Sequence, residues 1–134
     1  MRALAIALAA TALVAGNATV QAKPKLTPEQ QLEKLLEGRV AGKPTTCIAM
    51  SDTRDMEIID GVALVYRSGS TLYVNRPKNP EDIDSDDILV IRPSGSQLCR
   101  LDIVQTVDRV GQFTTGFINL NEFVPYRRTA QAQR

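Results

Sequence analysis

The stretch from Ile58 to Pro77, IIDGVALVYRSGSTLYVNRP, constrains the fold more than any other part of the chain. Two runs of strand-forming residues, Val62 to Arg67 and Thr71 to Asn75, flank Ser68-Gly69-Ser70, the signature of a β-hairpin. With a three-residue loop, Arg67 stands opposite Thr71, Tyr66 opposite Leu72 and Leu64 opposite Val74. Val62, Leu64, Tyr66, Leu72 and Val74 then share one apolar face. The other face carries Ala63, Val65 and Tyr73 beside Arg67, Thr71 and Asn75. A two-residue Gly69-Ser70 turn is the rival, because glycine suits the first central position of a type II′ turn. It sets Arg67 opposite Leu72 and sorts polar from apolar less cleanly, so the three-residue loop is the expected register.

The rest of the chain continues in short β-rich runs punctuated by Gly and Pro, with no long helical period and no internal repeat. Strands are expected at Thr46 to Met50, Ile88 to Ile91, Leu98 to Val107, Phe117 to Leu120 and Phe123 to Tyr126, with Met56 to Ile59 leading into the hairpin. Pro125 places the last run at an edge or a strand end. The fold class is mainly β: a small antiparallel barrel or sandwich of about six short strands with one short N-terminal helix. That helix starts at Thr27-Pro28-Glu29-Gln30, with Thr as N-cap, Pro at the first helical position and Gln at the capping-box position. Leu32, Leu35 and Leu36 lie on one face and Gly38 can end it. So short a helix does not persist alone in water, so its leucine stripe must dock. Ala63, Val65 and Tyr73 offer a surface for it. The same face, through Val65, Arg67, Tyr73 and Asn75, has the amphipathic make-up of a possible binding surface. The two uses compete, and the docked helix is the expectation.

Not all 134 residues belong to the fold. Met1-Arg2 is followed by the apolar run Leu4 to Ala15, and Val20-Gln21-Ala22 places small residues at the −3 and −1 positions of a cleavage site. This reads as a secretory signal peptide, residues 1–22, cut after Ala22. A leader with the short helix (23–43), a β-rich domain (44–128) and a flexible tail (129–134) follow. No later run is long enough for a transmembrane helix. Without Arg2 the 16 Lys and Arg become 15, equal to the 15 Asp and Glu, which gives no electrostatic reason to expect nucleic acid or anionic membrane as a partner. The two cysteines, Cys47 and Cys99, in an exported chain read as one disulfide. They lack the C-x-x-C spacing of a redox pair.

Recognisable chemistry is scarce. There is no histidine, which removes Ser-His-Asp and Cys-His catalysis and imidazole metal sites. Gly42-Lys43 is not a phosphate loop, because Gly38 is one residue too close and Pro44 replaces the needed Ser or Thr. Asp82, Asp84 and Asp86 alternate as in a calcium loop, but Asp87 stands where the turning Gly belongs and Pro93 where the bidentate Glu belongs. A solvated acidic loop is the expectation, and neither a metal nor another cofactor is expected. Asp60 and Asp102 are the acids best placed for partial burial. A hydrolase or carbohydrate-active enzyme built on them would need both carboxyls in one cleft.

Cys47-Ile48, IIDG at 58–61, YVNRP at 73–77, SQLC-x-x-D at 96–102 and FVPY at 123–126 together resemble a family of small exported bacterial proteins of unknown function. The resemblance covers most of residues 44–128 and implies export and a β-rich domain, without implying an activity. Relatives often carry further cysteines after the YVN-like strand and before the final F-x-P run. Here Arg76 and Ile118 to Leu120 occupy those regions, which leaves Cys47 and Cys99 as the shared pair. The function expected is that of an exported, periplasmic or secreted, non-catalytic module that binds a protein or small ligand or serves the envelope. The alternative is the carboxylate-dependent enzyme.

Overall fold

The computed structural model describes residues 22–130, so the proposed signal sequence, up to its last residue, and the final four residues of the tail lie outside the described residues. The described chain forms helix α1 (Pro28–Leu35) and ten strands: β1 (Arg39–Ala41), β2 (Cys47–Ala49), β3 (Met56–Ile59), β4 (Ala63–Ser68), β5 (Thr71–Asn75), β6 (Asp87–Ile91), β7 (Gln97–Cys99), β8 (Ile103–Asp108), β9 (Thr114–Asn119) and β10 (Phe123–Arg128). They make three antiparallel sheets: a five-stranded one ordered β1-β10-β5-β4-β3, the pair β2-β7, and a three-stranded one ordered β6-β8-β9. The mainly β class with one helix holds. The count of about six strands is corrected to ten, and the sheets do not close into a barrel. The strand expected at Thr46 to Met50 is present as β2; the added elements include β1 and β7, each only three residues long and too short to show a period of two in the sequence.

The central hairpin β4-β5 takes the two-residue turn, with Ser68 opposite Thr71, Arg67 opposite Leu72, Tyr66 opposite Tyr73 and Val65 opposite Val74. Gly69 has φ +58° while Ser70 stays at negative φ, as a type II′ turn requires. The expected three-residue register is therefore corrected, and Leu72 and Val74 move to the face of Val65. Both faces of this sheet are covered, so neither needs to be polar. Leu64, Tyr66 and Phe123 pack against Ile48, Leu98, Val104 and Ile118 of the two smaller sheets. On the opposite side Ile59, Ala63, Val65, Leu72 and Val74 pack against Leu32 of α1. Leu64 and Val65, adjacent in sequence and on opposite faces, are both 0% exposed. Arg67 lies at the rim of the helix-side face, where its guanidinium pairs with Glu57 at 2.8 Å.

The helix docks as expected. Thr27 caps it reciprocally with Gln30, at 3.3 Å and 3.0 Å, and Gly38 ends it at φ +70°. Arg76, just past β5, holds Glu29 with two hydrogen bonds of 3.0 Å and 3.2 Å, which holds the Glu29 carboxyl below its ordinary range. After the helix, β1 pairs with β10. Pro125 proves to lie in an interior strand. Its missing N–H faces Gly42, just past the end of β1, where Gly42 N–H donates to Pro125 C=O at 2.7 Å without a reciprocal bond, so the ladder to β5 is intact. A Cβ on Gly42 would lie 3.2 Å from Pro125 Cγ, so any other residue there would push the proline ring back by a few tenths of an ångström.

The single strand expected over Leu98 to Val107 is broken. Residues 97–99 pair with β2 while 103–108 belong to another sheet. Asp102 makes the break, its Oδ2 accepting from Cys99 N–H at 2.7 Å. The change of sheet leaves Leu101 and Ile103 facing outward.

One core group lacks a partner among the described residues. Tyr66, 0% exposed, meets Phe123 edge to face at 5.9 Å, and no described residue hydrogen-bonds its hydroxyl. Burial pushes its pKa well above the ordinary tyrosine value. A group whose folded pKa is raised contributes stability that is full below its unfolded pKa, about 10, and is lost as pH rises beyond it. Tyr66→Phe is expected to leave stability unchanged or raise it by about 1–2 kcal/mol at neutral pH. The alkaline loss above about pH 10 should also become smaller than in the wild type. Urea denaturation at neutral and alkaline pH measures both; a destabilised phenylalanine variant would mean that the hydroxyl is satisfied.

Candidate functional site

The four residues expected to make a binding surface do not share one. Val65 is buried beneath α1. Asn75, 0% exposed, donates from Nδ2 to Asn121 C=O at 2.6 Å and accepts from Asn121 N–H at 3.1 Å, which ties β5 to the entrance of β10. Tyr73 is half-buried on the opposite face from Val65, packed against the main core, and Arg67 pairs with Glu57. Val65 and Asn75 thus serve packing and the backbone.

The two candidate carboxylates are also engaged locally. Asp60 accepts from Ser85 N–H at 2.7 Å and Ser85 Oγ at 3.2 Å, clamping the acidic loop against the β3-β4 turn. Asp102 closes the β7-β8 turn. Asp102 borders two shallow hollows, and Asp60 borders neither. In the acidic loop Asp82 accepts from Asn79 Nδ2 at 2.5 Å and Asp84 from Asp86 N–H at 2.8 Å, and Ile83 plugs the main core. No cluster of three or more metal-ligating side chains occurs among the described residues. The cysteines do meet: Cys47 and Cys99 stand directly opposite in β2-β7 and form a disulfide.

The surface that sequence reasoning missed is the outer face of β6-β8-β9. Alternation along these strands sends Leu89, Ile91, Val104 and Ile118 inward to the main core. It sends Ile88 and Val90 of β6, Ile103, Gln105 and Val107 of β8, and Phe117 and Asn119 of β9 to the other side. Ile103 is 56% and Phe117 53% exposed, although their neighbours Val104 and Ile118 are fully buried. With Val90, Gln105, Asn119 and Arg92 they line a groove of about 560 Å³. Its floor is apolar, and its polar groups are one guanidinium and two carboxamides, the make-up of a small-ligand or peptide site. The available signal was the alternation Ile103-Val104-Gln105 facing Phe117-Ile118-Asn119. Reading 98–107 as one strand hid it, because that joined β8 to β7 across the break at Asp102.

No helix among the described residues is long and apolar enough to cross a membrane. Compared with protein-family models, curated proteins and solved structures, the chain shows no match.

Proposed function

We propose that the protein is an exported, periplasmic or secreted, domain that works by binding, with the outer face of β6-β8-β9 as its recognition surface. The observation that carries this reading is the half-exposed pair Ile103 and Phe117, set beside Arg92 in one groove. An apolar strip on a rigid sheet with a single cation at its margin suits a ligand with an apolar body and an anionic end. Export is supported by the basic start and apolar run of the N-terminus together with the Cys47–Cys99 disulfide. It also accords with the resemblance to small exported bacterial proteins. A binding role rather than catalysis is supported by the lack of histidine and by the engagement of Asp60 and Asp102 in turn closure.

The test uses 8-anilinonaphthalene-1-sulfonate, an aromatic anion of the chemistry the groove suits. The folded protein should bind it saturably at one site, and Phe117→Thr should weaken binding about tenfold or more, equivalent to about 1.4 kcal/mol. Arg92→Gln should weaken it less, through loss of the charge alone. Absence of saturable binding, or equal binding by Phe117→Thr with an unchanged circular dichroism spectrum, would remove the groove as the recognition surface.

A further inference from the structure

The two edges of the three-stranded sheet are treated differently. On β9 the open side is covered: Asn119 N–H donates to Asn79 Oδ1 at 2.8 Å, Asn119 C=O accepts from Lys78 N–H at 2.9 Å, and Phe117 C=O accepts from Asn79 Nδ2 at 2.7 Å. In an antiparallel strand the N–H and C=O of one residue leave the same edge, and successive residues alternate. Asn119 and Phe117 therefore point away from β8, Ile118 pairs across to Val104, and Gln105 turns to Val90 of β6. It follows that Leu89 and Ile91 direct their N–H and C=O groups to the open side of β6. No backbone partner meets these four groups among the described residues. Only the beginning of the edge is screened, where Arg109 reaches the carbonyls of Ser85, Asp86 and Asp87 at 3.3–3.5 Å.

An open edge normally carries protection such as a lysine, a proline or a bulge. Asp87-Ile88-Leu89-Val90-Ile91 has no lysine, proline or glycine, and its pairing with β8 is unbroken over five residues. The flanking charges are instead arranged for self-pairing. In Asp86-Asp87-Ile88-Leu89-Val90-Ile91-Arg92 the acids precede the apolar core and the arginine follows it. Two such strands laid antiparallel about Leu89 set Asp86 of each copy opposite Arg92 of the other. Neither side chain has an ion-pair partner within the described chain.

We infer that β6 is a dimerisation edge and that its occupant is β6 of a second copy of this chain, paired antiparallel in the register centred on Leu89. That centre falls on a residue whose N–H and C=O both point outward, so the two copies of Leu89 exchange two hydrogen bonds across the twofold axis. Ile91 N–H of each copy reaches Asp87 C=O of the other, an oxygen with two lone pairs that also takes the long 3.5 Å contact from Arg109. Ile88 of one copy lies opposite Val90 of the other, on the outer face, so the apolar strip runs unbroken through a six-stranded sheet. Val90 and Arg92 also line the groove, but Asp86 and Ile88 do not, so Asp86→Arg and Ile88→Lys test the pairing apart from ligand binding there.

Sedimentation equilibrium of the disulfide-bonded protein at about 100 μM, a range suited to a small strand-addition interface, should give twice the single-chain mass. Asp86→Arg places two arginines opposite two arginines and should return the protein to single-chain mass. Exchanging the charges, D86R with R92D, should restore the dimer. Ile88→Lys, on an exposed position, serves as a second disrupting variant whose fold is checked by circular dichroism. A wild type of single-chain mass overturns the inference, as does a dimer indifferent to both Asp86→Arg and Ile88→Lys. A dimer lost in Asp86→Arg but not recovered in the charge exchange overturns the Leu89-centred register.

Discussion

Replacing Leu32 by alanine should cost the domain about 2–5 kcal/mol, as truncation of a buried leucine does. The loss is expected to be disproportionate to so small an element. Helix α1 has eight residues, and Leu32, 1% exposed, is its one fully buried side chain. Leu35 and Leu36 only flank the contact. A helix of that length does not form alone in water, so loosening its anchor loosens the helix, and Ile59, Val65, Leu72 and Val74 lose their cover together. Two devices oppose complete release: the Thr27–Gln30 capping box and the Glu29–Arg76 pair. Both are exposed, and neither replaces apolar burial. Glu33→Ala, on the solvent side of the same helix, should stay within about 0.5 kcal/mol. Urea denaturation of the two variants is the measurement. A loss below about 1 kcal/mol at Leu32 would mean that the sheet does not depend on the helix for cover.

The same two-sided burial explains what could be read from the sequence around the hairpin. The strands themselves were legible because β-branched and aromatic residues cluster on either side of Gly69. Their register was not. Sorting polar from apolar works where one face meets water, and here Leu64 and Val65 are equally buried, so alternation carries no information. What decides the register is Gly69, whose positive φ fits the two-residue turn, while Glu57 accommodates Arg67 beside the apolar residues. The helix was legible for the converse reason: its cap and its leucine stripe are local signals. The outer face of β6-β8-β9 was not legible, because it depends on the break at Asp102. That break is a tight turn closed by Asp102, whose carboxylate accepts from Cys99 N–H and whose N–H donates to Cys99 C=O, with no signature in hydropathy. Asn75 illustrates the same limit. Its polar character suggested a surface, whereas its amide is spent on the backbone of Asn121, forty-six residues away.

Loss of the disulfide should have an effect of similar size to loss of the helix anchor. Cys47 and Cys99 close a loop with a sequence separation of 52 that contains β3, β4, β5 and β6. Constraining a loop of that length in the unfolded chain corresponds to about 4 kcal/mol in the chain-entropy model. A local consequence is added. The β2-β7 sheet consists of three residue pairs, Cys47–Cys99, Ile48–Leu98 and Ala49–Gln97, and a two-stranded sheet that short is not stable by itself. Its middle pair, Ile48 and Leu98, enters the main core beside Leu64 and Tyr66, so the bond between the flanking cysteines holds two core side chains in place. Replacing both cysteines by serine should therefore lower stability by about 2–5 kcal/mol. The denaturant slope separates the two contributions. If only unfolded-chain entropy is lost, the native surface is unchanged and the slope changes only through the freer unfolded chain, which exposes more and steepens it. If β2-β7 also opens in the native state, surface is exposed before unfolding and the slope falls. The thinness of this sheet favours the second result. A loss of less than about 1 kcal/mol with an unchanged slope would show that neighbouring packing alone holds Ile48 and Leu98.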